Sequence, residues 1–328
     1  MEASDVLVFS IFFFAVVGGF GNLNIIFATY RSKALRHKCG ILLSILAFCD
    51  FSCLMFEGIS GIRVVTNTAS MKKSKCFWLQ SGNIIIENAE VYMIFAVSLD
   101  RQLAIQEPVK YRTWKIQKYV ILMTIPAAIY GLAYWLWSFA TLVDKNLEIC
   151  NLPTSMPDVV SEYWNYTSTF ACFLTVFCYG CTFAMLYKLT PKALKGQQGQ
   201  LEQQKRIAKT LSINVFGFFI SSVASSAIII VFRNAGVSEE IVGEAETYAV
   251  IPGLLSYSLN YYIYFWRSSE YRRAFAQQLG LSENFFLRGQ ETMFGPQNSQ
   301  VTRISGVSPF SVSVSSSVMT RISQTPVE

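Results

Sequence analysis

The chain has 328 residues, of which 52% are hydrophobic and 15% charged, and its formal net charge is +6 at pH 7. About a quarter of the residues of a soluble globular domain are charged, so this composition argues against such a domain and favours a chain surrounded largely by lipid. Seven apolar segments are long enough to cross a membrane, which takes about 20 residues each. They cover residues 7–30, 39–62, 77–99, 119–143, 164–187, 207–232 and 245–266. The sequence therefore predicts an all-α membrane protein, a bundle of seven transmembrane helices.

The basic residues are unevenly distributed among the loops. The loops after the first, third and fifth spans carry fifteen lysines and arginines, and those after the second, fourth and sixth carry six. Cytoplasmic loops hold such an excess, which places the amino terminus outside and the carboxyl terminus in the cytoplasm. Lys72, Lys73 and Lys75, in the first outer loop, go against this trend locally. The positive charge is thus attributed to membrane orientation and not to nucleic-acid binding.

Three parts of the chain are distinguished by composition. Residues 1–6 are predicted to be an extracellular amino terminus, and residues 7–281 form the membrane domain. Within it, residues 267–281 are predicted to form an amphipathic helix that contacts membrane lipid at the inner leaflet. Residues 282–328, rich in Ser, Thr, Gln and Gly, are predicted to be a disordered cytoplasmic tail.

Two of the eight cysteines, Cys76 and Cys150, fall in predicted outer segments. An oxidising exterior favours their pairing, which would tie the start of span three to the loop between spans four and five. The alternative is two independent free thiols. Asn165, on the same side, begins an Asn-Tyr-Thr sequon and is a candidate glycosylation site.

Span three ends at an acid–arginine pair, Asp100 and Arg101. Arg101 lies twenty-five residues after Cys76, which is roughly 37 Å of helix across a hydrocarbon core of about 30 Å. One helix thus connects a candidate disulfide outside to a charged pair inside, which points to a receptor. The alternative for Arg101 alone is an anchor at the membrane surface.

Polar residues inside the predicted spans form two groups. Asp50, Glu90, Asn260 and Ser256 are predicted to surround a sodium ion or a proton at mid-depth, since ionisable groups in a membrane are costly and commonly functional. The alternative is that these side chains only hydrogen-bond neighbouring helices.

The second group lies nearer the outer side, where a ligand can enter. Glu57, Asn83 and Glu87 are the candidate ligand-binding residues, and Asn83, Glu87 and Glu90 follow one another at spacings of four and three on one helical face. The same alternative of interhelical hydrogen bonding applies to them.

Five motifs in order resemble the rhodopsin-like class of G-protein-coupled receptors. They are Gly21-Asn22, Leu46-Ala47-Phe48-Cys49-Asp50, Cys76, Asp100-Arg101-Gln102 and Asn260-Tyr261-Tyr262-Ile263-Tyr264. Three features depart from that class: Gln102 stands in place of tyrosine, Tyr261 in place of proline, and span six contains neither tryptophan nor proline. With these departures, the stretches from Asp100 to Arg112 and from Tyr264 to Arg272 resemble the nematode serpentine chemoreceptors of the Srsx class.

This resemblance implies a chemosensory receptor of the plasma membrane. It implies that an extracellular small molecule or short peptide binds between the helices and activates a heterotrimeric G protein. It further implies that Arg101 leaves Asp100 on activation, that Tyr264 and Tyr179 move inward to meet it, and that Asn260 belongs to the same switch. The alternatives are a transporter that uses the intramembrane acids and a seven-helix receptor that does not signal. An enzyme is not expected, because the single histidine, His37, lies in the first inner loop, and no cofactor is predicted apart from the intramembrane sodium ion or proton.

Overall fold

The computed structural model describes residues 3–189 and 248–280, together with residues 205, 207–213, 215–217, 219, 231–232, 235–238 and 241. Its helices are α1 (Ala3–Arg31), α2 (Lys38–Val65), α3 (Lys73–Gln106), α4 (Pro108–Thr113), α5 (Ile116–Ala140), α6 (Leu152–Ser155), α7 (Asp158–Leu189), α8 (Val250–Arg267) and α9 (Ser269–Gln278). Two short antiparallel strands, β1 (Met71–Lys72) and β2 (Asn146–Leu147), pair Met71 with Leu147.

Helices α1, α2, α3, α5 and α7 are long and apolar enough to cross a membrane. Helix α8 corresponds to the predicted seventh span. For the predicted sixth span the structure describes helical residues at 207–213, 215–217, 219 and 231–232, and the rest of that span lies outside the described residues. The predicted all-α membrane fold is confirmed, and the pair of two-residue strands is a small addition to it.

The helices extend beyond the predicted apolar segments. Helix α3 runs from Lys73 to Gln106 where the apolar run covers 77–99, and α7 begins at Asp158 where the run begins at 164. The ends of these helices carry charged residues that would be costly inside the hydrocarbon. At the membrane surface their side chains can reach water, so the helix can continue there. Hydropathy therefore locates the part of each helix inside the hydrocarbon and misses its polar ends.

Helix α3 has a central position, packed against α2, α5 and α7, whereas α1 packs against α2 and α8. The α1–α8 contact depends on the Gly21-Asn22 pair. Asn22 Nδ2 donates a hydrogen bond of 2.9 Å to the carbonyl oxygen of Tyr257. A Cβ atom at Gly21 would lie 2.7 Å from Cβ of Tyr261, so the glycine allows these two helices to approach.

The helix after span seven is shorter and more buried than predicted. Helix α9 begins after Ser268, whose hydroxyl accepts a hydrogen bond from the backbone N–H of Tyr271 (3.4 Å). Its side chains Tyr271 and Phe275 are 6% and 0% exposed, and the Phe275 ring lies 4.5 Å from that of Tyr261. Much of the apolar face that was predicted to contact lipid therefore packs against the bundle. The predicted disordered tail, 282–328, lies outside the described residues.

Candidate functional site

The outer end of α3 is cross-linked to the loop that follows α5. Cys76 and Cys150 form a disulfide with a Cα–Cα distance of 5.6 Å, as the sequence predicted, and both residues are buried. The pairing of β1 with β2 lies beside this disulfide, and Arg63 Nη1 lies 3.7 Å from Cys150 Sγ. The loop after α5 is thus tied to the start of α3 by the disulfide and by the pairing of the two strands.

The inner end of α3 holds the charged pair. Arg101 Nε donates a hydrogen bond of 2.9 Å to Asp100 Oδ2, and Arg101 Nη2 donates to the same oxygen. Both residues are buried, with 0% of Asp100 and 3% of Arg101 exposed. A guanidinium bound to an adjacent carboxylate is satisfied locally, and this arrangement agrees with the pair that the sequence predicted.

Sequence reasoning missed the other residues that hold this pair. The hydroxyl of Tyr111, from α4, donates a hydrogen bond of 2.9 Å to Asp100 Oδ1 and lies 3.3 Å from Arg101 Nη2. Lys38 Nζ donates to the Tyr111 carbonyl oxygen and lies 4.4 Å from the Tyr111 ring centroid. The only signal in the sequence was a tyrosine ten residues after Arg101, which does not by itself indicate a hydrogen bond to Asp100.

His37 stands beside this network as the N-cap of α2. Its Nδ1 accepts a hydrogen bond of 3.1 Å from the backbone N–H of Gly40. Burial, and secondarily the positive charge of Arg101, lower the pKa of His37 below its ordinary value of 6.5. The sequence predicted only a loop histidine, since the cap and the neighbouring arginine come from the packing of α2 against α3.

We expect His37 to make the stability of the receptor depend on pH. The pKa of His37 is lower in the folded state than in the unfolded chain. As the pH falls through about 6.5, the unfolded chain therefore takes up the proton first. The free energy of unfolding decreases in this range, with a slope of at most about 1.4 kcal/mol per pH unit. Below the folded-state pKa the loss levels off. His37→Asn keeps a capping acceptor and removes the titrating group. The measurement is the melting temperature of both proteins from about pH 7.5 to about pH 5, where curves that stay parallel would contradict this role.

Tyr179 and Tyr264 both line one small interior cavity of about 40 Å³. The cavity is also lined by Asp50, Glu90 and Asn260. The Tyr179 hydroxyl is buried and has no hydrogen-bond partner among the residues that the structure describes. The two tyrosines predicted for the switch thus border the space that contains the predicted cation site.

Four acidic residues lie in or near this part of the bundle. Asp50 and Glu90 line the cavity, and Glu57 and Glu87 lie further along α2 and α3. Asp50 Oδ2 accepts a hydrogen bond of 2.6 Å from Asn260 Nδ2. Glu90 Oε2 lies 3.6 Å from Cys53 Sγ. The Tyr257 hydroxyl donates a hydrogen bond of 2.6 Å to Glu87 Oε1. Asp50 and Glu90 are 1% and 2% exposed.

The fourth acid, Glu57, and the amide of Asn83 are less engaged. Neither side chain has a hydrogen bond within the described part of the chain, and the buried Asn83 Oδ1 has no partner there. Ser256, in contrast, lines the interior cavity. The structure therefore gathers Asp50, Glu90, Asn260 and Ser256 around one cavity and leaves Glu57 and Asn83 outside it.

No ion pair within the described residues includes any of the four acids. The described ion pairs lie at the helix ends and in the outer loops, as between Lys145 Nζ and Asp158 Oδ2 at 2.9 Å. The sequences of residues 39–62, 76–100 and 250–266, which contain the four acids and their partners on α8, include no lysine or arginine. Arg63, one residue beyond the first of these ranges, is the nearest basic residue of α2 and interacts electrostatically with Glu57. Asp50, Glu87 and Glu90 have no lysine or arginine within these three ranges.

Asn165 is exposed in the second turn of α7. The hydroxyl of Thr167, the third sequon residue, is 2.6 Å from the Tyr134 hydroxyl and donates to the Tyr163 carbonyl oxygen at 2.9 Å. The sequon thus lies in helical backbone with its threonine engaged, and its glycosylation stays a prediction.

The sequence comparisons agree with these features. The family model described as serpentine type 7TM GPCR chemoreceptor Srsx matches residues 15–279. The chain belongs to the Srsx chemoreceptor family. The match includes the disulfide, the charged pair and the acid column. It identifies the protein as a G-protein-coupled receptor and does not favour the transporter or the non-signalling alternative.

Two further receptors match parts of the chain. The Dopamine D2-like receptor of Drosophila melanogaster is 24% identical over 199 residues, which cover 58% of this chain and 21% of the relative. A muscarinic acetylcholine receptor of Caenorhabditis elegans is 28% identical over 130 residues, 38% of this chain and 20% of the relative. The chain matches about a fifth of the length of each. Both are receptors, in line with an Srsx receptor rather than an enzyme.

Proposed function

We propose that this Srsx receptor lies in the plasma membrane with its amino terminus outside and its carboxyl terminus in the cytoplasm. The excess of basic residues in the loops after spans one, three and five supports this orientation. The disulfide between Cys76 and Cys150 supports it as well, because disulfides form in oxidising compartments.

The proposed ligand is an extracellular small molecule or a short peptide. It would enter beneath the cross-linked outer loop and contact Glu57, Asn83 and Glu87. The unpartnered Asn83 Oδ1 and the half-buried carboxylates of Glu57 and Glu87 support this position, since they offer acceptors for a ligand's donor groups.

The proposed output is activation of a heterotrimeric G protein, and the observation that carries it is the buried Asp100–Arg101 pair closed by Tyr111. When a ligand favours the active arrangement, Arg101 would leave Asp100 and meet Tyr179 and Tyr264. The Tyr179 hydroxyl, which lacks a described partner, supports this step because it can accept a new one.

The interior site of Asp50, Glu90, Asn260 and Ser256 is proposed to hold a sodium ion or a proton. The Asp50–Asn260 hydrogen bond and the lack of basic residues on the lining segments support the proposal. A positive charge there offsets the cost of burying these carboxylates.

The test of the G-protein switch compares basal second-messenger output of the wild type, Asp100→Asn, Arg101→Ala and the exposed-lysine control Lys118→Ala at matched surface expression. Loss of a charge-assisted contact of about 1.4 kcal/mol raises the active population about tenfold. We therefore expect a higher output from Asp100→Asn, output at the level of empty cells from Arg101→Ala, and no change from Lys118→Ala.

If the wild type shows no basal output, the coupling is tested instead by measuring how much G protein is recovered with the purified receptor. Asp100→Asn should then retain more G protein than the wild type, and Arg101→Ala less. Equal recovery with all variants and with an unrelated membrane protein would overturn the proposed coupling.

A further inference from the structure

Three metal-ligating side chains from two helices converge between the proposed cation and ligand sites. Cys53 Sγ and one carboxylate oxygen each of Glu87 and Glu90 lie within 4.8 Å of one another. Cys53 belongs to α2, whereas Glu87 and Glu90 lie three residues apart on one face of α3. Two rigid elements therefore hold the three donor atoms close together.

The spacing of these donors fits a tetrahedral metal ion. Zinc binds sulfur at about 2.3 Å and carboxylate oxygen at about 2.1 Å, which puts adjacent sulfur and oxygen ligands about 3.6 Å apart. The distance from Cys53 Sγ to Glu90 Oε2 is 3.6 Å. A thiolate also favours zinc or cadmium over sodium, calcium and magnesium, which prefer oxygen ligands.

An independent observation beside the cluster is a buried acceptor that lacks a partner in the described part of the chain. Asn83 lies one turn outward from Glu87 on the same face of α3, is 1% exposed, and its Oδ1 has no partner among the described residues. This face is turned toward α2, since Gln80 Nε2 donates a hydrogen bond of 3.1 Å to Ser60 Oγ. The unpartnered oxygen of Asn83, one turn from Glu87, offers a bound cation a further oxygen ligand.

Tyr257 extends the cluster to a third helix. Its hydroxyl donates to Glu87 Oε1 at 2.6 Å, which leaves the other carboxylate oxygen available and fixes the orientation of the group. Hydrogen bonds to a ligating carboxylate commonly support metal sites in this way. An ion bound here would connect α2, α3 and α8.

We propose that Cys53, Glu87 and Glu90 form an intramembrane site for a thiophilic divalent cation of the zinc type. The site shares Glu90 with the proposed sodium or proton site and differs from it in the sulfur ligand. It does not depend on G-protein coupling, and its test uses purified receptor without any signalling partner.

The first experiment titrates the full-length receptor in detergent with cadmium and follows the ultraviolet cadmium–thiolate charge-transfer band. We expect a band at one equivalent in the wild type and in Cys49→Ser, a control that changes a buried cysteine one turn along α2. Cys53→Ser should lose the band, and Glu87→Gln and Glu90→Gln should bind at least about tenfold more weakly. A band that survives in Cys53→Ser, or wild-type affinity in both glutamine variants, would overturn the site.

A second measurement needs no variant, so it remains valid if Cys53→Ser does not fold. Alkylation of the wild type is followed cysteine by cysteine with mass spectrometry, with and without zinc. We expect zinc to slow the alkylation of Cys53 at least about tenfold and to leave Cys181, the half-buried free cysteine of α7, unchanged. Because Cys53 is buried, a small apolar reagent is used at a temperature where the zinc-free protein reacts at Cys53 through local opening, and equal rates with and without zinc then refute the proposal.

Discussion

Gly131→Ala is expected to destabilise the receptor by about 3 kcal/mol and to remove most folded protein from the membrane. A Cβ atom at Gly131 would lie 3.1 Å from the carbonyl carbon of Ile85 and closer still to its oxygen. The obstacle is backbone of α3 and not a flexible side chain, so α3 and α5 would have to separate. These two helices share one of the largest contacts in the bundle. Their separation would therefore weaken the packing along the whole contact and not only at Gly131.

Gly180→Ala is the matched control, since a Cβ atom at Gly180 of α7 would have no neighbour within 4 Å. The measurement is the melting temperature and the fraction of monodisperse receptor in size-exclusion chromatography after identical expression. Gly180→Ala should match the wild type or exceed it slightly, because alanine is the better helix former. Equal stability of the Gly131 and Gly180 variants would show that α3 and α5 are not in this close contact.

Removing the disulfide is expected to have a still larger effect on stability. Cys76 and Cys150 are 74 residues apart in sequence. In the chain-entropy description, a disulfide that closes a loop of that length raises the free energy of unfolding by about 4 kcal/mol, because it restricts the unfolded chain. The double variant Cys76→Ser, Cys150→Ser should therefore melt about 10 °C lower than the wild type. The reduced wild type should melt at the same lower temperature.

Cys181→Ser serves as the control, because it removes a free cysteine of α7. Its melting temperature should fall by much less than that of the double variant, and it should retain the response to reducing agent. A wild type whose melting temperature is the same oxidised and reduced would show that the cross-link does not stabilise the fold.

The spans and the disulfide could be predicted because each depends on a simple physical requirement. A membrane helix needs about 20 apolar residues, and Cys76 and Cys150 were the two cysteines placed in outer segments. The interior partners Asp50 and Asn260 were predicted from the cost of burying polar groups. The structure joins them by a hydrogen bond of 2.6 Å.

Several contacts that the sequence did not reveal join residues distant along the chain. Lys38 reaches Tyr111 across 73 positions, and Cys53 meets Glu90 across 37. Neither a lysine at a helix start nor a cysteine in an apolar segment indicates such a partner, because both residue types are common there for other reasons. The small strands were missed likewise, since two residues are too few for an alternating pattern.

Tyr261 stands where the motif of the rhodopsin-like class has proline, and this bears on how motion can pass through α8. An internal proline removes a backbone hydrogen bond and makes a helix bend, but α8 runs from Val250 to Arg267 with Tyr261 inside it. Tyr257, which contacts Glu87, and Tyr264, which borders the interior cavity, are about 10 Å apart along this helix. Without a proline hinge between them, we expect a displacement at Tyr257 to tilt α8 as a rigid helix. The Tyr261–Phe275 contact would then move α9 together with α8.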